Sequence, residues 1–187
     1  MTPEGGPRRR TQPWKQLAEQ PRTGGWLPVV TRTYQMPDGS TSDWDIHDPP
    51  FSTTVGVLAL TPDEQVVMTR QFRPGPGRVL VELPGGIVDE GESVVDAAAR
   101  ELLEETGFAA TSVDVVGACW AFGASTWRRH VAVARGCHRV GEVRSWGGDE
   151  YCEPVLVSVA ELRRLVQAGE TTDTDLVYLS LDAAGLL

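Results

Sequence analysis

The sequence predicts an α/β fold, and three features lead to that prediction. Short apolar runs bounded by Pro, Gly and Asp are typical of β-strands, an amphipathic helical pattern lies in the middle of the chain, and two more helical patterns lie at its end. Strands with helices between and after them are typical of a layered α/β domain. The chain of 187 residues is long enough to bury a substantial core.

The N-terminal part is predicted to hold a tail and a hairpin. Residues 1–24 are rich in Pro, Gly, Arg and Gln and have little to bury, so we predict a mobile tail. Residues 25–48 are predicted to form an antiparallel β-hairpin whose turn contains Asp38 and Gly39. The main domain is predicted to cover residues 49–187.

The main domain is predicted to combine strands with helices. Three strands are expected before the first helix and three after it: TTVGVLAL, QVVMTRQF, RVLVELP, TSVDVVGACW, RHVAVARG and EPVLVS. The clearest helix runs from Ser93 to Thr106, since Ser93 is a favourable N-cap and Gly107 suits the position after the last turn. Further helices are predicted at Val159–Ala168 and from Thr174 onward.

Composition argues against several classes of function. The formal net charge of −9 and the pI of about 4.8 disfavour generic binding to a nucleic-acid backbone. Cys119, Cys137 and Cys152 show no CxxC spacing and indicate ordinary thiols in a reducing compartment. The chain has no apolar run of membrane-spanning length and no secretory signal, so we expect a cytoplasmic protein without a membrane or nucleic-acid partner.

Three carboxylates crowd one part of the central helix. Glu101, Glu104 and Glu105 fall within about one helical turn, where like charges repel. The pattern of the helix by itself is also consistent with an acidic face that is exposed to solvent. A hard divalent cation between the carboxylates would instead make the cluster favourable, because its charge replaces their repulsion.

The spacing around these carboxylates favours the cation. After Gly86 come five residues and Glu92, then seven residues and the segment RELLEETGF that begins at Arg100. This pattern resembles the Nudix box. The resemblance implies a Nudix fold, in which a mixed sheet lies between helices, and hydrolysis of a nucleoside diphosphate linked to another group. We therefore expect an α/β/α sandwich preceded by the N-terminal hairpin.

The resemblance also implies roles for individual residues. The atoms expected to hold Mg²⁺, with Mn²⁺ as the alternative, come from Glu101, Glu104, Glu105 and the backbone carbonyl of Gly85. Arg100 would orient and charge-balance the glutamates, and Glu92 would be a ligand or a partner of one. The absence of a GxSxG or Walker-type sequence favours direct attack of metal-activated water over a covalent intermediate.

Features outside the box resemble the ADP-ribose and nucleoside-diphosphate-sugar pyrophosphatases. In TRQFRPG, Arg70 and Arg73 are candidates to clamp a diphosphate, with the capping of a strand end as the alternative role for one of them. Glu82 lies in an apolar strand, and a structural salt bridge and a role in the site are both open. In the loop EVRSWGGDEYCEP, Glu150 is the first candidate for the general base, ahead of Glu153 and then Asp149.

One segment departs from this subgroup. In AFGASTWRR, Phe122 stands where a proline is usual and Trp127 where an acid is usual, which leaves the identity of the sugar-like group open. The candidate substrate contacts are Ser125, Trp127, Arg128 and Arg129, and a packing role for Trp127 is the alternative.

The resemblance favours a homodimer in which the hairpin aromatics stack on the base. Trp44 is the first candidate for that stacking and Tyr34 the second, with ordinary packing as the alternative.

The sequence thus predicts an Mg²⁺-dependent pyrophosphohydrolase that releases a nucleoside monophosphate and a sugar phosphate. Two other functions stay open: a Nudix hydrolase of a nucleoside triphosphate or another phosphorylated metabolite, and a non-catalytic sensor that binds such a ligand.

Overall fold

A computed structural model of the protein describes residues 15–21, 28–51, 53–73, 75–144, 146–147 and 150–187. The chain forms two compact units. One unit comprises Met1–Pro50 with Phe122–Thr126, and the other comprises Phe51–Ala121 with Trp127–Leu187.

The first unit is built on a three-stranded antiparallel sheet. Its strands follow the chain in the order β1-β2-β3: Lys15–Pro21, Val29–Gln35 and Thr41–His47. β2 and β3 form the hairpin that the sequence predicts. Its turn is stabilised by Asp38, whose Oδ1 accepts hydrogen bonds from the backbone N–H and the hydroxyl of Ser40, at 2.9 and 2.6 Å.

Strand β1 corrects the predicted N-terminal tail. Residues 15–21, which we expected to be mobile, pair in antiparallel register with β2. Glu19 lies opposite Arg32, and Nε of Arg32 donates to Glu19 Oε2 at 2.6 Å. The tail prediction depended on the scarcity of apolar side chains, whereas this strand is held by backbone hydrogen bonds and a cross-strand ion pair.

The second unit is built on a seven-stranded mixed sheet. Its strands are β4 Thr53–Leu60, β5 Gln65–Arg73, β6 Arg78–Glu82, β7 Gly85–Ile87, β9 Ser112–Trp120, β10 Arg128–Arg135 and β14 Glu153–Ser158. The order is β14-β5-β4-β10-β9, with β6 beside β5 and β7 beside β4. Only the β4–β10 pair is parallel among the pairs described in this sheet, so the predicted mixed sheet is confirmed.

Two small ladders and three helices complete this unit. The ladders pair β8 Phe108–Ala109 with β11 His138–Arg139, and β12 Trp146–Gly147 with β13 Glu150–Tyr151. The helices are α1 Val94–Thr106, α2 Val159–Ala168 and α3 Thr174–Ala184. In the described part of the chain, each helix is too short or too polar to span a bilayer.

The core lies on both faces of the sheet because successive β4 residues point to opposite sides. Val55 and Val57 pack with Leu102 of α1 in one buried cluster. Leu58 belongs to a second cluster, which contains Leu162 of α2. The predicted arrangement of a sheet between helices is therefore confirmed.

Both ends of α1 are fixed as the sequence predicts. The backbone N–H of Asp96 donates to Ser93 Oγ at 3.1 Å, which caps the first turn. Gly107 follows the last turn with a left-handed φ of 73°, and its N–H donates to the carbonyl of Leu103. A Cβ at Gly107 would overlap the carbonyl of Gly141, so this position requires glycine for two reasons.

Candidate active site

Helix α1 presents two carboxylates to strand β7. Glu101 and Glu105 are four residues apart and therefore share a face of the helix. Oε2 of Glu105 accepts a hydrogen bond from the backbone N–H of Gly85 at 2.8 Å. The carboxylate of Glu101 lies against Gly86, where an added Cβ would come within 2.6 Å of the Glu101 carboxyl carbon. The structure thus brings both carboxylates to the backbone segment that carries the Gly85 carbonyl.

Glycine is required in β7 for close approach of the chain to its neighbours. A Cβ at Gly85 would overlap the carbonyl oxygen of Val55 and lie 2.9 Å from the Cα of Gly56. Any other residue here would push β7 away from β4. The position of the Gly85 carbonyl and amide relative to α1 therefore depends on this glycine.

Arg100 ties the acidic cluster together. Its Nε and Nη2 each donate to Glu92 at 2.9 Å in a bidentate pair, and Nη2 also donates to the carbonyl of Ile87 at 2.9 Å. Its Nη1 donates to Glu101 Oε1 at 2.8 Å and, more weakly, to Glu104 Oε2 at 3.4 Å. The bond to Glu92 is the largest cause of a raised pKa of Arg100, and the same bond lowers the pKa of Glu92. Arg100 therefore stays cationic and compensates the crowded carboxylates.

The donor chemistry of the cluster fits a hard divalent cation. Carboxylate and carbonyl oxygens are the ligands that Mg²⁺ and Mn²⁺ prefer. Among the described residues, no three His, Cys, Asp or Glu side chains are already arranged to enclose a metal ion. Nη1 of Arg100 instead contacts both Glu101 and Glu104. The oxygen atoms present agree with the predicted metal ligands, but the binding of a metal by them stays a prediction.

The sequence did not indicate that Cys152 belongs beside these carboxylates. Its thiol donates to Glu105 Oε1 at 3.4 Å, and both side chains are buried. The two residues are 47 positions apart, and we had interpreted the cysteine as an ordinary thiol. No local pattern signals such a contact, because it forms only when β14 joins the sheet next to β5.

The two arginines of TRQFRPG each contact a carboxylate. Nη1 of Arg70 donates to Glu153 at 3.1 Å across the β5–β14 pair. Nε of Arg73 donates to Glu82 Oε2 at 2.6 Å, and the fully buried Glu82 also accepts from the hydroxyl of Thr172. Glu82 is thus part of an ion pair, which agrees with the structural role that the sequence allowed, and its role in the site stays a prediction. The diphosphate clamp stays a prediction.

The candidates for the general base lie before β14 or, in the case of Glu153, at its first residue. The backbone of Glu150 is in β13, but its side chain lies outside the described residues, as does the whole of Asp149. The carboxylate of Glu153 is half-exposed and engaged with Arg70. Glu150 remains the first candidate, and it lies two residues before the Cys152 that contacts Glu105.

Trp127 contacts one residue of β4 and one of β10. Its Nε1 donates to Thr54 Oγ1 at 2.9 Å, and the guanidinium carbon of Arg129 lies 5.9 Å from a ring centroid of its indole. Arg129 in turn pairs with Asp173 at 2.6 Å and Asp175 at 2.8 Å. These contacts give Trp127 a structural role, and its contact with substrate stays a prediction.

Arg128 faces a different partner. Its guanidinium carbon lies 4.8 Å from the ring centroid of Trp120, which is the residue opposite it in the β9–β10 pair. Trp120 is an exposed aromatic that the sequence analysis did not single out. Its adjacency to Arg128 depends on strand register, which the sequence alone does not specify.

A groove of about 730 Å³ lies beside the start of α3 and not at the carboxylates. Its lining includes Arg129, Asp175 and Tyr178. We place no part of the reaction there, because Glu101 and Glu105 lie against β7.

The remaining candidates belong to the first unit. Trp44 lies on β3 and is 44% exposed, and Tyr34 lies on β2. The hydroxyl oxygen of Ser125 is 2.9 Å from Nδ1 of His47, whose ring stacks on Phe122 with centroids 5.8 Å apart. Stacking of Trp44 on a base and contact of Ser125 with substrate stay predictions.

Comparisons with known proteins agree with the family resemblance of the sequence. A model of the NUDIX domain matches residues 50–177. The ADP-ribose pyrophosphatase of Bacillus subtilis (strain 168) is 30% identical over 161 residues, which cover 86% of this chain and 86% of that protein. The methanol dehydrogenase activator of Bacillus methanolicus is 26% identical over 171 residues, or 89% of this chain and 91% of that protein. A crystal structure of an ADP compounds hydrolase shares the fold, with a TM-score of 0.77 at 19% identity, over 96% of this chain and 100% of that chain.

Proposed function

The chain belongs to the Nudix hydrolase family, and we propose that it cleaves the diphosphate of ADP-ribose or a nucleoside diphosphate sugar to a nucleoside monophosphate and a sugar phosphate. The observation that carries this proposal is the placement of Glu101 and Glu105 against Gly86 and Gly85. The substrate class is supported by the Bacillus subtilis relative, which is named for ADP-ribose.

In the proposed site, the chain supplies oxygen ligands and a charge balance. The proposed ligands of Mg²⁺ are Glu101, Glu104, Glu105 and the Gly85 carbonyl. A divalent cation, when bound, neutralises diphosphate oxygens and activates water for attack on phosphorus. Arg100 donates to both Glu101 and Glu104 and so holds the two carboxylates close together. Its pair with Glu92 anchors the guanidinium to the loop before α1.

Other residues would handle the proton and the substrate. Glu150 is the proposed general base that takes the proton of the attacking water. Arg70 and Arg73 lie on the same strand and are proposed to contact the diphosphate. Beyond it, we propose that Ser125, Trp127 and Arg128 contact the substrate.

A substrate panel tests the reaction. ADP-ribose, several nucleoside diphosphate sugars, nucleoside triphosphates and a dinucleoside polyphosphate are incubated with Mg²⁺, and the products are resolved by ion-exchange chromatography. We expect a nucleoside monophosphate and a sugar phosphate from the first two classes. Preferential cleavage of triphosphates would contradict the proposed substrate class.

Glu105→Gln tests the site itself. The substitution keeps the size of the side chain and removes a negative charge from the cation site, so we expect a loss of at least about 100-fold in kcat/KM. Glu161→Gln is the matched control, because Glu161 lies on α2 in an ion pair with Arg164. Equal activity of the two variants would contradict the metal-site assignment.

Two observations favour alternative functions that the same panel tests. Phe122 and Trp127 depart from the pattern of the ADP-ribose subgroup, which favours another phosphorylated substrate. The Bacillus methanolicus relative is named as an activator of another enzyme, which keeps a regulatory role in view. A ligand that raises the Tm without being cleaved would support the sensor.

A homodimer and a cytoplasmic location stay predictions. Light scattering during size-exclusion chromatography measures the mass in solution, and a dimer is the expected result. Trp44→Ala is then expected to raise KM for a nucleotide substrate, since it removes the proposed stacking surface for the base.

A further inference from the structure

The carboxylate of Glu105 is held at both of its oxygens. Oε2 accepts from the Gly85 N–H at 2.8 Å, and Oε1 accepts from the Cys152 thiol at 3.4 Å. Glu105 is 5% exposed and Cys152 is fully buried. A buried carboxylate needs donors, because water no longer solvates it.

The two donors come from opposite sides of the site. Gly85 lies on β7, beside β4, whereas Cys152 joins β13 to β14, beside β5. The donors therefore restrict the torsions of the Glu105 side chain from two separate segments of the chain. Glu101 and Glu104 are held differently from Glu105, because both accept from Nη1 of Arg100, which lies on their own helix.

A thiol is well suited to hold a carboxylate that must also bind a cation. The S–H group is a weak donor, and each carboxylate oxygen offers about two lone-pair directions. The thiol therefore orients Oε1 and leaves a lone pair for another ligand. A guanidinium at the same place would compete with a cation much more strongly.

We propose that Cys152 is a positioning residue for the cation site, which fixes the Glu105 carboxylate in the orientation that binds a divalent metal. This inference depends on the proposed function, since it needs Glu105 as a metal ligand. It also links the metal ligand to the segment that carries Glu150, because the contact ties that segment to α1.

The test measures metal binding without substrate. Mn²⁺ is titrated into the full-length protein, and unbound Mn²⁺ is quantified by electron paramagnetic resonance. Replacing a residue that orients a metal ligand weakens binding about 10- to 100-fold. Since the thiol is a weak donor, we expect Cys152→Val, which keeps an apolar side chain of similar size, to weaken binding about tenfold. Cys152→Ser, which keeps a donor, should stay within about twofold of the wild type.

Cys137→Val is the matched control. Cys137 is also buried, but its thiol lies 3.6 Å from the carbonyl of Ala134. A general packing defect would affect both valine variants, whereas the positioning role predicts unchanged Mn²⁺ affinity for Cys137→Val. If Cys152→Val does not fold, Cys152→Ala and Cys152→Ser supply the same comparison.

A second measurement separates positioning from packing. The Mg²⁺ concentration for half-maximal rate should rise in Cys152→Val, while the rate at saturating Mg²⁺ should approach that of the wild type. If Cys152→Val binds Mn²⁺ like the wild type while Glu105→Gln does not, the positioning role is overturned and the proposed site stands. If Glu105→Gln also binds like the wild type, both are overturned.

Discussion

Gly86 shows how one missing side chain makes room for another. The Glu101 carboxylate occupies the space that a Cβ would need. At the neighbouring Gly85 the obstructing atoms belong to the backbone of β4. A substitution at Gly85 would therefore shift a strand, whereas one at Gly86 would move only the end of a flexible side chain.

Gly86→Ala is accordingly expected to separate activity from stability. The methyl group should displace the Glu101 carboxylate while the fold is kept, so we expect at least about a tenfold loss of kcat/KM, equivalent to about 1.4 kcal/mol. The free energy of unfolding should change by no more than about 1 kcal/mol. Gly141→Ala is the control, since a Cβ there would meet no atom within 4 Å. Wild-type kinetics for Gly86→Ala would contradict the assignment of Glu101.

At the scale of the elements, a hydrogen bond from Thr172 to the buried Glu82 joins the β5–β6 hairpin to the segment between α2 and α3. Glu82 of β6 is completely buried between Arg73 of β5 and Thr172. Glu82 and Thr172 are 90 residues apart. Because an unpaired buried carboxylate is strongly unfavourable, this contact makes the two segments depend on each other.

Arg73→Ala is expected to destabilise the protein. Loss of a partner from a fully buried pair is worth roughly 3–5 kcal/mol, but Arg73 is 41% exposed, so we expect about 2 kcal/mol by chemical denaturation. Adding Glu82→Gln to Arg73→Ala should recover part of the lost stability, because the buried charge is then removed. Arg70→Ala is the control and should cost little, since its pair with Glu153 is exposed. An unchanged stability of Arg73→Ala with a raised KM would favour the diphosphate clamp alone.

For the whole molecule, the sequence predicted features that depend on neighbouring residues, but it did not predict contacts between residues that are far apart in the chain. Helix α1 could be predicted because its caps, apolar side and carboxylates all lie within one short stretch of sequence. Strand β1 was missed because the ion pair of Glu19 with Arg32 takes the place of an apolar pattern. The contact of Cys152 with Glu105 was missed because it depends on how β14 joins the sheet.

His130 makes one contribution to the response of global stability to pH. Burial, followed by the nearby positive charge of Arg128, lowers the pKa of His130 below its ordinary value of 6.5, although a backbone contact with Thr54 opposes this. Its Nδ1 is buried without a hydrogen-bond partner among the described residues. The folded protein therefore resists protonation at pH values where the unfolded chain accepts a proton.

We accordingly predict that the contribution of His130 to the Tm falls as the pH decreases from about 7.5 to about 5.5, the range around the ordinary pKa of histidine. The buried Asp173, whose pKa is raised to about 6, acts in the opposite direction, so the contribution is measured as the difference between the wild type and a His130 variant. The sign follows from linkage: a base with a depressed folded-state pKa stabilises the fold above its unfolded-state pKa, and this contribution is lost as the pH drops below that value. His130→Gln removes the titrating group, so the Tm of the variant should rise relative to that of the wild type as the pH decreases over this interval. Scanning calorimetry at several pH values measures both slopes. Equal slopes for the variant and the wild type would show that His130 titrates alike in the folded and unfolded chains.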